Sequence, residues 1–362
     1  MTTPGGAAIL DLKGVGMAGV KARKRSSIAD VARLAEVSVG TVSNALNRPD
    51  RVAPKTLERV LAAIKELQFV PNSSARQLRA GSLQTIGAIV LDISNPYFTE
   101  VARGIEDRLA EDGFTLMLAS SDRDPDREER YLNLFEQHGA QGVILVPSRP
   151  GTEGLRERRE RGIETVLLDV NASEPDVSSA AVDNVAGAQQ AVAHLLDQGH
   201  RKIAFINGHH EFLQCRDRHL GAVRAIEAAG LDPAKVLTEY VVDSMTAESG
   251  ETTARVILAR PAGRRPTAIF CINDLVALGV MRVAREQHLS LPGEVAIVGY
   301  DDLVFAAELA TPLTSVRQPT HQLGYRAAEL LIAQLTEGAD YSHEHVQFQP
   351  ELIVRGSSTA QN

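Results

Sequence analysis

Hydrophobic and polar residues follow two different periods along this chain, and the change of period divides it into two regions. Between residues 28 and 67 the apolar positions recur every three or four residues, which predicts short amphipathic helices. From residue 85 onward, short apolar runs bounded by turn residues alternate with longer helical segments. Strands that alternate with helices form parallel sheets covered by helices on both faces. The sequence therefore predicts a small all-α head followed by a large α/β body.

The head reads as three helices with a tight turn between the first two. Ser27 can cap the first helix, and Asp30 stands at the spacing of a capping box. Ser38 can cap a second helix over 39–46, and Pro54 suits the first turn of a third. The predicted inner faces are Ile28, Val31, Ala32 and Ala35 on the first helix, Val42, Ala45 and Leu46 on the second, and Leu57, Val60, Leu61, Ile64 and Leu67 on the third. This arrangement is a helix-turn-helix module.

The body contains about ten strand-like runs, more than one compact sheet usually holds. The clearest runs are at 86–91, 115–118, 143–146, 165–168, 203–206, 240–242, 268–272 and 295–298. Predicted helices between them cover 97–111, 186–198, 220–229, 246–258, 274–286 and 322–335. We therefore expect two doubly wound parallel-sheet lobes. Ligands of such sheets bind beyond the carboxyl ends of the strands, which here means a cleft between the lobes.

These patterns set the expected domain boundaries. Residues 1–26 form a disordered basic tail, within which either Met1 or Met17 can be the initiating residue. Residues 27–71 form the helix-turn-helix domain, and 72–83 form a short linking helix. The body covers 84–357 and is followed by a tail over 358–362. Its N-lobe takes about 84–183 and 319–346, and its C-lobe takes about 184–318 and 347–357.

Charge separates the same two regions. Residues 21–81 carry 12 Lys and Arg against 5 Asp and Glu, a net charge of +7, within a chain of net charge −8. Because residues 1–20 are neutral overall, the remainder carries −15. A basic head on an acidic body indicates a polyanionic partner for the head alone. No apolar run reaches the length of a membrane helix or of a signal peptide, and the two cysteines favour a reducing cytoplasm.

Enzyme and metal sites find little support in the sequence. It contains no G-x-x-x-x-G-K-[ST] loop, no G-x-S-x-G elbow and no H-E-x-x-H helix. His343, Glu344 and His345 fall in a polar turn before a strand, so we expect no metal ion and no cofactor there. A plain sugar-binding protein is the other rival class, and the basic head argues against it.

Several motifs together resemble the LacI/GalR family of bacterial transcription regulators. In the head they are IADVARLAEVSVGTVSNALN at 28–47, AAIKELQFVPN at 62–72 and ARQLR at 75–79. In the body they are IGAIV at 86–90, SNPYF at 94–98, DN at 183–184, GHRKIA at 199–204, NDLVALG at 273–279, VGYD at 298–301 and LTSVRQP at 313–319. The resemblance covers residues 27–357 and implies a homodimeric repressor that binds a pseudo-palindromic operator in double-stranded DNA.

The resemblance also implies which head residues touch DNA. The second helix would enter the major groove, with Val39, Gly40 and Asn44 at the base edges. Phosphate contacts would come from Ser38, Thr41, Ser43 and Asn47. The stretch 72–79 resembles a hinge helix that folds on the operator. There Ala75 and Leu78 would enter the minor groove and Arg79 would face a phosphate.

In the body, the resemblance implies an effector cleft of the periplasmic-binding-protein type. The matching positions are Ser94, Asn95, Tyr97, Phe98, Asp169, Phe212, Gln214, Arg218, Met245, Asn273 and Asp301. Carboxylates, amides and a guanidinium suit paired hydroxyl groups, so the expected effector is a sugar or a sugar derivative. Met245 replaces an aromatic residue common in relatives. The alternatives are an Arg218–Asp301 salt bridge without a ligand, a purine-like effector, and a protein partner in place of a small molecule.

Overall fold

The chain divides into two compact units, Met1–Ser82 and Leu83–Asn362. A computed structural model describes residues 26–69, 84–149, 151, 154–171 and 175–359. In the described chain no helix is both long and apolar enough to cross a membrane. The predicted linking helix over 72–83 and most of the predicted basic tail lie outside these residues.

The helices are α1 Ile28–Leu34, α2 Val39–Asn47, α3 Pro54–Glu66, α4 Pro96–Glu111, α5 Pro125–Gln137, α6 Leu155–Glu160, α7 Asn184–Asp197, α8 Leu213–Ala228, α9 Pro233–Val236, α10 Ala247–Leu258, α11 Asp274–Glu286, α12 Phe305–Glu308 and α13 Thr320–Glu337. Short 3-10 turns cover Pro49–Arg51 and Gly338–Asp340. The strands are β1 Thr85–Val90, β2 Thr115–Ser120, β3 Gly142–Leu145, β4 Glu164–Leu168, β5 Ser178–Val182, β6 Ile203–Asn207, β7 Leu237–Val241, β8 Ala268–Cys271, β9 Ala296–Asp301, β10 Thr314–Arg317, β11 His345–Phe348 and β12 Glu351–Ile353.

The head is a three-helix unit with its own small core. Ser27 and Asp30 form the predicted capping box at the start of α1, since each side chain bonds the other residue's backbone N–H. Val31, Val42 and Val60 are fully buried at the centre. One predicted core position is wrong: Leu61 is 51% exposed, because the inward face of α3 continues through the buried Ala63 instead. Ser26, expected in the tail, donates a hydrogen bond to the Leu67 carbonyl at 3.1 Å.

The N-lobe is built on a parallel sheet of six strands in the order β11-β5-β4-β3-β1-β2. Because α4 and α13 cover one face and α5 the other, its strands β1, β3 and β5 are buried along their whole length. The chain leaves β1 to one side for β2 and then returns to the other side for β3. This reversal places the switch point of the lobe between β1 and β3, where ligand sites of such sheets occur.

The C-lobe repeats the same plan. Its sheet has the order β12-β10-β9-β8-β6-β7, with the switch point between β6 and β8. All pairs are parallel except β10 with β12. A continuous core built around Phe205 and Phe270, whose rings stack with centroids 4.6 Å apart, fills this lobe.

The chain passes between the lobes three times. It leaves the N-lobe sheet after β5, returns after β10 through α13, and crosses again between β11 and β12. The α13 helix packs directly on α4, since an added Cβ at Gly104 would lie 2.0 Å from the His321 carbonyl oxygen. Gly324 approaches the Val101 carbonyl of α4 in the same way. The N-lobe therefore depends on a helix that comes from near the end of the chain.

Several expected boundaries differ in the structure. The sequence does not predict β5, β10, β12 or α5, whose apolar runs are short or interrupted by polar residues, whereas the strand expected after the polar turn at 343–345 is β11, which already begins at His345. Helix α8 begins at Leu213, well before the expected residue 220, because its first turns carry charged residues. The N-lobe strand β11 ends at Phe348, beyond the expected lobe boundary at 346. Ser358, placed in the terminal tail, is buried in the C-lobe and bonds Thr314 and His194.

Candidate functional site

A cavity opens between the carboxyl ends of the two sheets of the body. It contains about 450 Å³ of empty space, part of which is open to solvent. The N-lobe wall consists of Leu91, Asn95, Tyr97, Phe98, Arg123 and Asp169, and the C-lobe wall consists of Phe212, Gln214, Cys215, Arg218, Met245, Ile272, Asn273 and Asp301.

The structure brings together all the predicted effector residues except Ser94. The backbone N–H and the hydroxyl of Ser94 both bond the Asp92 carboxylate, at 2.9 and 2.5 Å. This turn leaves Ser94 exposed, so it does not line the cavity. Four further residues line the cavity that the sequence did not predict: Leu91, Arg123, Cys215 and Ile272. Leu91 and Ile272 each directly follow a strand next to a switch point, which is the signal that could have found them.

Arg218 on α8 is fixed before any ligand arrives. Its Nε donates to Asn184 at 2.8 Å, and its Nη1 donates to the Ile272 carbonyl at 2.5 Å. The guanidinium carbon lies 3.5 Å from the centroid of the Tyr300 ring, in cation–π geometry. Among the described ion pairs none joins Arg218 to Asp301, which removes the salt bridge left open by the sequence. The described hydrogen bonds use Nε and one N–H of Nη1, so the guanidinium keeps further N–H donors on Nη1 and Nη2 for a ligand.

Asp301 ends β9 and is buried in the cavity wall, 6% exposed. Its Oδ1 accepts a hydrogen bond from Gln318 at 2.8 Å. Burial raises the pKa of Asp301 to about 7, against the opposing pull of the Arg218 charge and the Gln318 hydrogen bond. A carboxyl group with this pKa exchanges its proton near neutrality, so it can donate to a ligand as well as accept.

Asp169 links the two lobes across the cavity. Its carboxylate accepts from the Tyr97 hydroxyl at 2.9 Å within the N-lobe and from the Gln214 amide at 2.9 Å in the C-lobe. Burial raises the pKa of Asp169, while the charge of Arg218 opposes that rise. Both carboxylate oxygens therefore already have a partner, and one of these partners belongs to the opposite wall.

Backbone strain marks the same two carboxylates. Asp169 has φ of +61° and Asp301 has φ of +106°, both in the region that disfavours residues with a Cβ. Each follows or ends a strand at the cavity edge, where the positive φ turns the side chain out of the strand. Strain of this kind is held in place by its surroundings and is concentrated at functional sites.

Two predicted ligand residues are also helix caps. The Asn95 side chain accepts from the Tyr97 N–H at 3.0 Å at the start of α4. The Asn273 side chain accepts from the Val276 N–H and donates to the Met245 carbonyl, which uses both of its polar atoms. Asn273 therefore positions α11 and the Met245 segment in addition to lining the cavity.

The head presents a separate polar surface on α2. Val39, Gly40 and Asn44 are exposed, whereas Val42 and Ala45 of the same helix are buried. Ser38 caps the helix by accepting from the Thr41 N–H at 3.0 Å, and its hydroxyl also bonds the Thr41 hydroxyl at 2.9 Å. Ser43 is half-buried. The structure does not describe the Asn47 side chain or residues 75–79, so the expected phosphate contacts of Asn47 and Arg79 and the expected minor-groove contacts of Ala75 and Leu78 stay predictions.

Comparisons with known proteins agree with this two-part arrangement. Residues 27–72 match a family model described as bacterial regulatory proteins, lacI family, and residues 192–358 match one described as a periplasmic binding protein-like domain. The HTH-type transcriptional repressor PurR of Aliivibrio fischeri (strain ATCC 700601 / ES114) is 31% identical over 336 residues, which cover 92% of this chain and 98% of that protein.

Solved structures extend the match to nearly the whole chain. A transcriptional regulator CelR–cellobiose complex is 32% identical with a TM-score of 0.67, and it covers 92% of this chain and 100% of its own. A lac repressor dimer bound to operator and to the anti-inducer ONPF is 26% identical with a TM-score of 0.73, and it covers 93% of this chain and 100% of its own. Each of these two regulators holds a small molecule, cellobiose in one and ONPF in the other.

Proposed function

Since the chain belongs to the lacI family of bacterial regulatory proteins, we propose that it is a sugar-responsive repressor that acts on operator DNA as a homodimer. Members of this family are transcription regulators and not enzymes, so the chain is a DNA-binding transcription repressor with a helix-turn-helix head and a periplasmic-binding-protein-like body. In this proposal the protein acts in the cytoplasm, where its operator DNA lies.

The observation that carries the sugar proposal is the set of buried polar groups around one cavity. Arg218, Asp301 and Asp169 each lie 6% exposed or less, on two facing walls. A sugar offers hydroxyl groups in several directions, each of which can donate and accept, and this matches carboxylates on both walls with a guanidinium between them. Phe212 and Met245 supply apolar surface for the C–H faces of the ring.

A purine-like effector is the second candidate. The curated relatives that support it are the PurR repressors, which are purine-responsive. A flat heterocycle needs apolar faces above and below its plane, whereas a polyol needs polar partners in several directions. The cavity supplies apolar surface, such as Phe212 and Met245, together with carboxylate, guanidinium and amide groups, and the carboxylates on both walls favour the polyol. CelR, whose structure contains cellobiose, supports the same choice.

The proposed control mechanism joins the cleft to the head through residues 72–83. An effector that contacts both walls shifts the equilibrium between lobe arrangements by its differential affinity for them. In the proposal this shift alters how two hinge segments fold on DNA. Ala75 and Leu78 then enter the minor groove, Arg79 meets a phosphate, and α2 of each head reads one half-site through Val39, Gly40 and Asn44.

The test is a thermal-shift screen of the full chain against sugars, sugar phosphates, nucleosides and purines. A ligand present at about 100 times its dissociation constant stabilises the folded state by roughly 2.7 kcal/mol. We expect a hit among the sugars, and we expect that hit to change operator affinity by about 5–150-fold in either direction. A purine hit would replace the sugar proposal, and no hit across the panel would favour a protein partner.

A further inference from the structure

Three potential metal ligands meet on the outer edge of the C-lobe, on the side of the strand ends. They are His210 in the loop after β6, His219 on α8 and Glu239 in the edge strand β7. His210 Nε2 and His219 Nδ1 each lie 3.0 Å from the same carboxylate oxygen, Glu239 Oε1. Among the described residues, these three are the histidine, cysteine and acidic side chains whose ligand atoms lie close enough together to hold one metal ion.

The geometry of this group is close to that of a bound transition-metal ion. Its three ligand atoms lie within 4.8 Å of one another, and the two imidazole rings have centroids 4.8 Å apart. An ion with bonds of about 2.1 Å in a tetrahedral site separates its ligand atoms by about 3.4 Å. Small side-chain rotations would therefore open the present hydrogen-bonded group around an ion.

The group also has an outer partner that holds the carboxylate in place. Asn207, buried at the end of β6, donates from Nδ2 to Glu239 Oε1 at 2.7 Å. Burial acts to raise the pKa of Glu239, but the hydrogen bonds from Asn207 and His210 keep it below its ordinary value. Hydrogen-bonded partners behind the ligands are typical of built metal sites. His210 and His219 remain 42% and 32% exposed, so an ion can reach them from solvent.

We propose that His210, His219 and Glu239 form a binding site for a divalent transition-metal ion of the Zn²⁺ class. Two imidazoles and one carboxylate are ligands that suit Zn²⁺ and that Mg²⁺ uses poorly. Three protein ligands leave the fourth position to water or to another donor. The sequence does not predict this site, because the three residues are separated along the chain and match no ligand-spacing motif.

The site lies on the loop that forms one wall of the cavity. His210 is followed by Phe212 and Gln214, both of which line the cavity. The loop starts at Gly208, where an added Cβ would lie 2.4 Å from Met245 Cε, so the backbone already runs tightly past another wall residue. An ion that joins His210 to α8 and β7 would restrict this loop. The significance of that restriction for effector binding rests on the proposed function, whereas the metal site does not.

The test uses the tag-free full chain, stripped with a chelator and titrated calorimetrically with Zn²⁺ alone. We expect one Zn²⁺ per chain, no comparable binding of Mg²⁺, and visible-region absorption typical of tetrahedral coordination when Co²⁺ is used instead. His210→Gln should lower Zn²⁺ affinity by more than about 100-fold, since even outer-partner changes cost about 10–100-fold. The matched control is His138→Gln, which alters an exposed histidine at the end of α5 in the other lobe and should change nothing.

The outcomes separate the metal site from a plain hydrogen-bonded cluster. Absence of stoichiometric Zn²⁺ binding, or binding unaffected by His210→Gln and by His219→Gln, would overturn the site. Loss of binding in His209→Gln alone would also overturn it, because His209 instead pairs with Asp243 at 2.8 Å. Circular dichroism of each variant shows whether the fold is retained. Amide hydrogen exchange in residues 208–212 should slow when Zn²⁺ is added, and unchanged exchange there would overturn the link to the cavity wall.

Discussion

Helix α2 of the head and the cleft of the body both carry polar side chains, but in opposite surroundings. At the start of α2, Ser38 caps the helix through its bonds to Thr41, and Asn44 on the same helix is exposed. In the cleft the polar groups are buried and already bonded, as Arg218 is to Asn184 and to the Ile272 carbonyl. A substitution on α2 should therefore leave folding intact, whereas a substitution in the cleft changes the fold as well as the ligand site.

Charge reinforces this difference. Within residues 26–69 the head carries six Lys and Arg against five Asp and Glu, so most of its positive excess belongs to the flanking segments 21–25 and 76–79. The exposed face of α2 is nearly neutral, so it suits the reading of bases by hydrogen bonds and apolar contact. The cleft instead concentrates opposite charges in a buried volume, where each charge is worth more than in water.

The strongest test of the contrast is Arg218→Ala. The change removes the positive charge between Asp169 and Asp301 and leaves Asn184 without its partner, so we expect a loss of about 3 kcal/mol in unfolding free energy. This loss is at the lower end of the range for removing one partner from a buried charge network. The reason is that Asp301 can take up a proton and so avoid an unpaired negative charge. Urea unfolding measures the loss, and the response to any effector should disappear.

The matched control is Arg216→Ala, because Arg216 lies on the same helix but is 58% exposed and pairs only loosely with Asp217, at 3.5 Å. It should leave both stability and the effector response unchanged. If Arg218→Ala retained the wild-type effector response, Arg218 would have no place in the proposed binding site.

The two regions should also differ in how their carboxyl groups respond to pH. In the cleft, burial raises the pKa of Asp301 to about 7, compared with about 3.9 in an unfolded chain. Its contribution to stability is therefore full below about pH 4 and is lost as the pH rises to about 7. In the head, hydrogen bonds from Ser27 lower the pKa of Asp30, so its contribution is present above about pH 4 and is lost as the pH falls.

Asp301→Asn should remove the part of this pH dependence that Asp301 causes, at most a few kcal/mol between pH 4 and pH 7, while the raised pKa of Asp169 leaves a further part in place. The measurement is the urea midpoint of the wild type and of the variant across that range. Asp243→Asn is the control, because the Asp243 side chain is 99% exposed. Parallel pH curves for wild type and Asp301→Asn would mean that this carboxyl is not responsible.

On α2, Asn44→Ala should weaken the preference for the correct base at one base pair of each half-site by about 1–3 kcal/mol. Because Asn44 is exposed, the unfolding midpoint of the head should not move. The assay compares binding to operators in which each base pair is replaced in turn. Lys55→Ala, which alters an exposed cation on α3, is the comparison variant and should not change the order of preference. A uniform loss of affinity in Asn44→Ala would instead indicate backbone contact.

The smallest effect concerns the head fold itself. Ser27→Ala removes the capping box of α1 and should cost about 1 kcal/mol, which shifts the melting temperature of a domain of this size by about 4–8 °C. Calorimetry of the full chain should show the shift in the head transition and none in the body transition. Glu58→Ala, at an exposed site inside α3, serves as the control. A shift in both transitions would contradict the separation into two independent units.

Much of the fold follows from periodicity, and the exceptions have physical causes. Capping residues locate α1 and α2, and long apolar runs locate β1, β3 and β8. Strand β12 escapes prediction because it has only three residues and none of them is fully buried, which leaves its apolar pattern weak. Helix α8 is longer than expected because buried Arg218, a charged residue, takes an inward position that the pattern assigns to apolar residues.

The cleft could be predicted only where the resemblance supplied positions. The family motifs locate the wall residues, whereas the partners that fix them, Asn184, Tyr300 and Gln318, follow from three-dimensional packing. Ser94 was misplaced because its neighbour Asp92 captures it in a local turn. For α2 the sequence is sufficient to predict which face is exposed, because that follows from the helical period. The binding role of this face depends on DNA, which is not part of the chain.

The three passages of the chain between the lobes have a consequence for synthesis. The N-lobe sheet needs β11 and the N-lobe core needs α13, and both emerge from the ribosome after the entire C-lobe segment from α7 to β10. Neither lobe can therefore be completed during translation before the last few dozen residues appear, whereas the head, confined to the first residues, can. A premature stop after residue 318 would remove parts of both lobes at once and would leave a DNA-binding head on a body that cannot close either sheet.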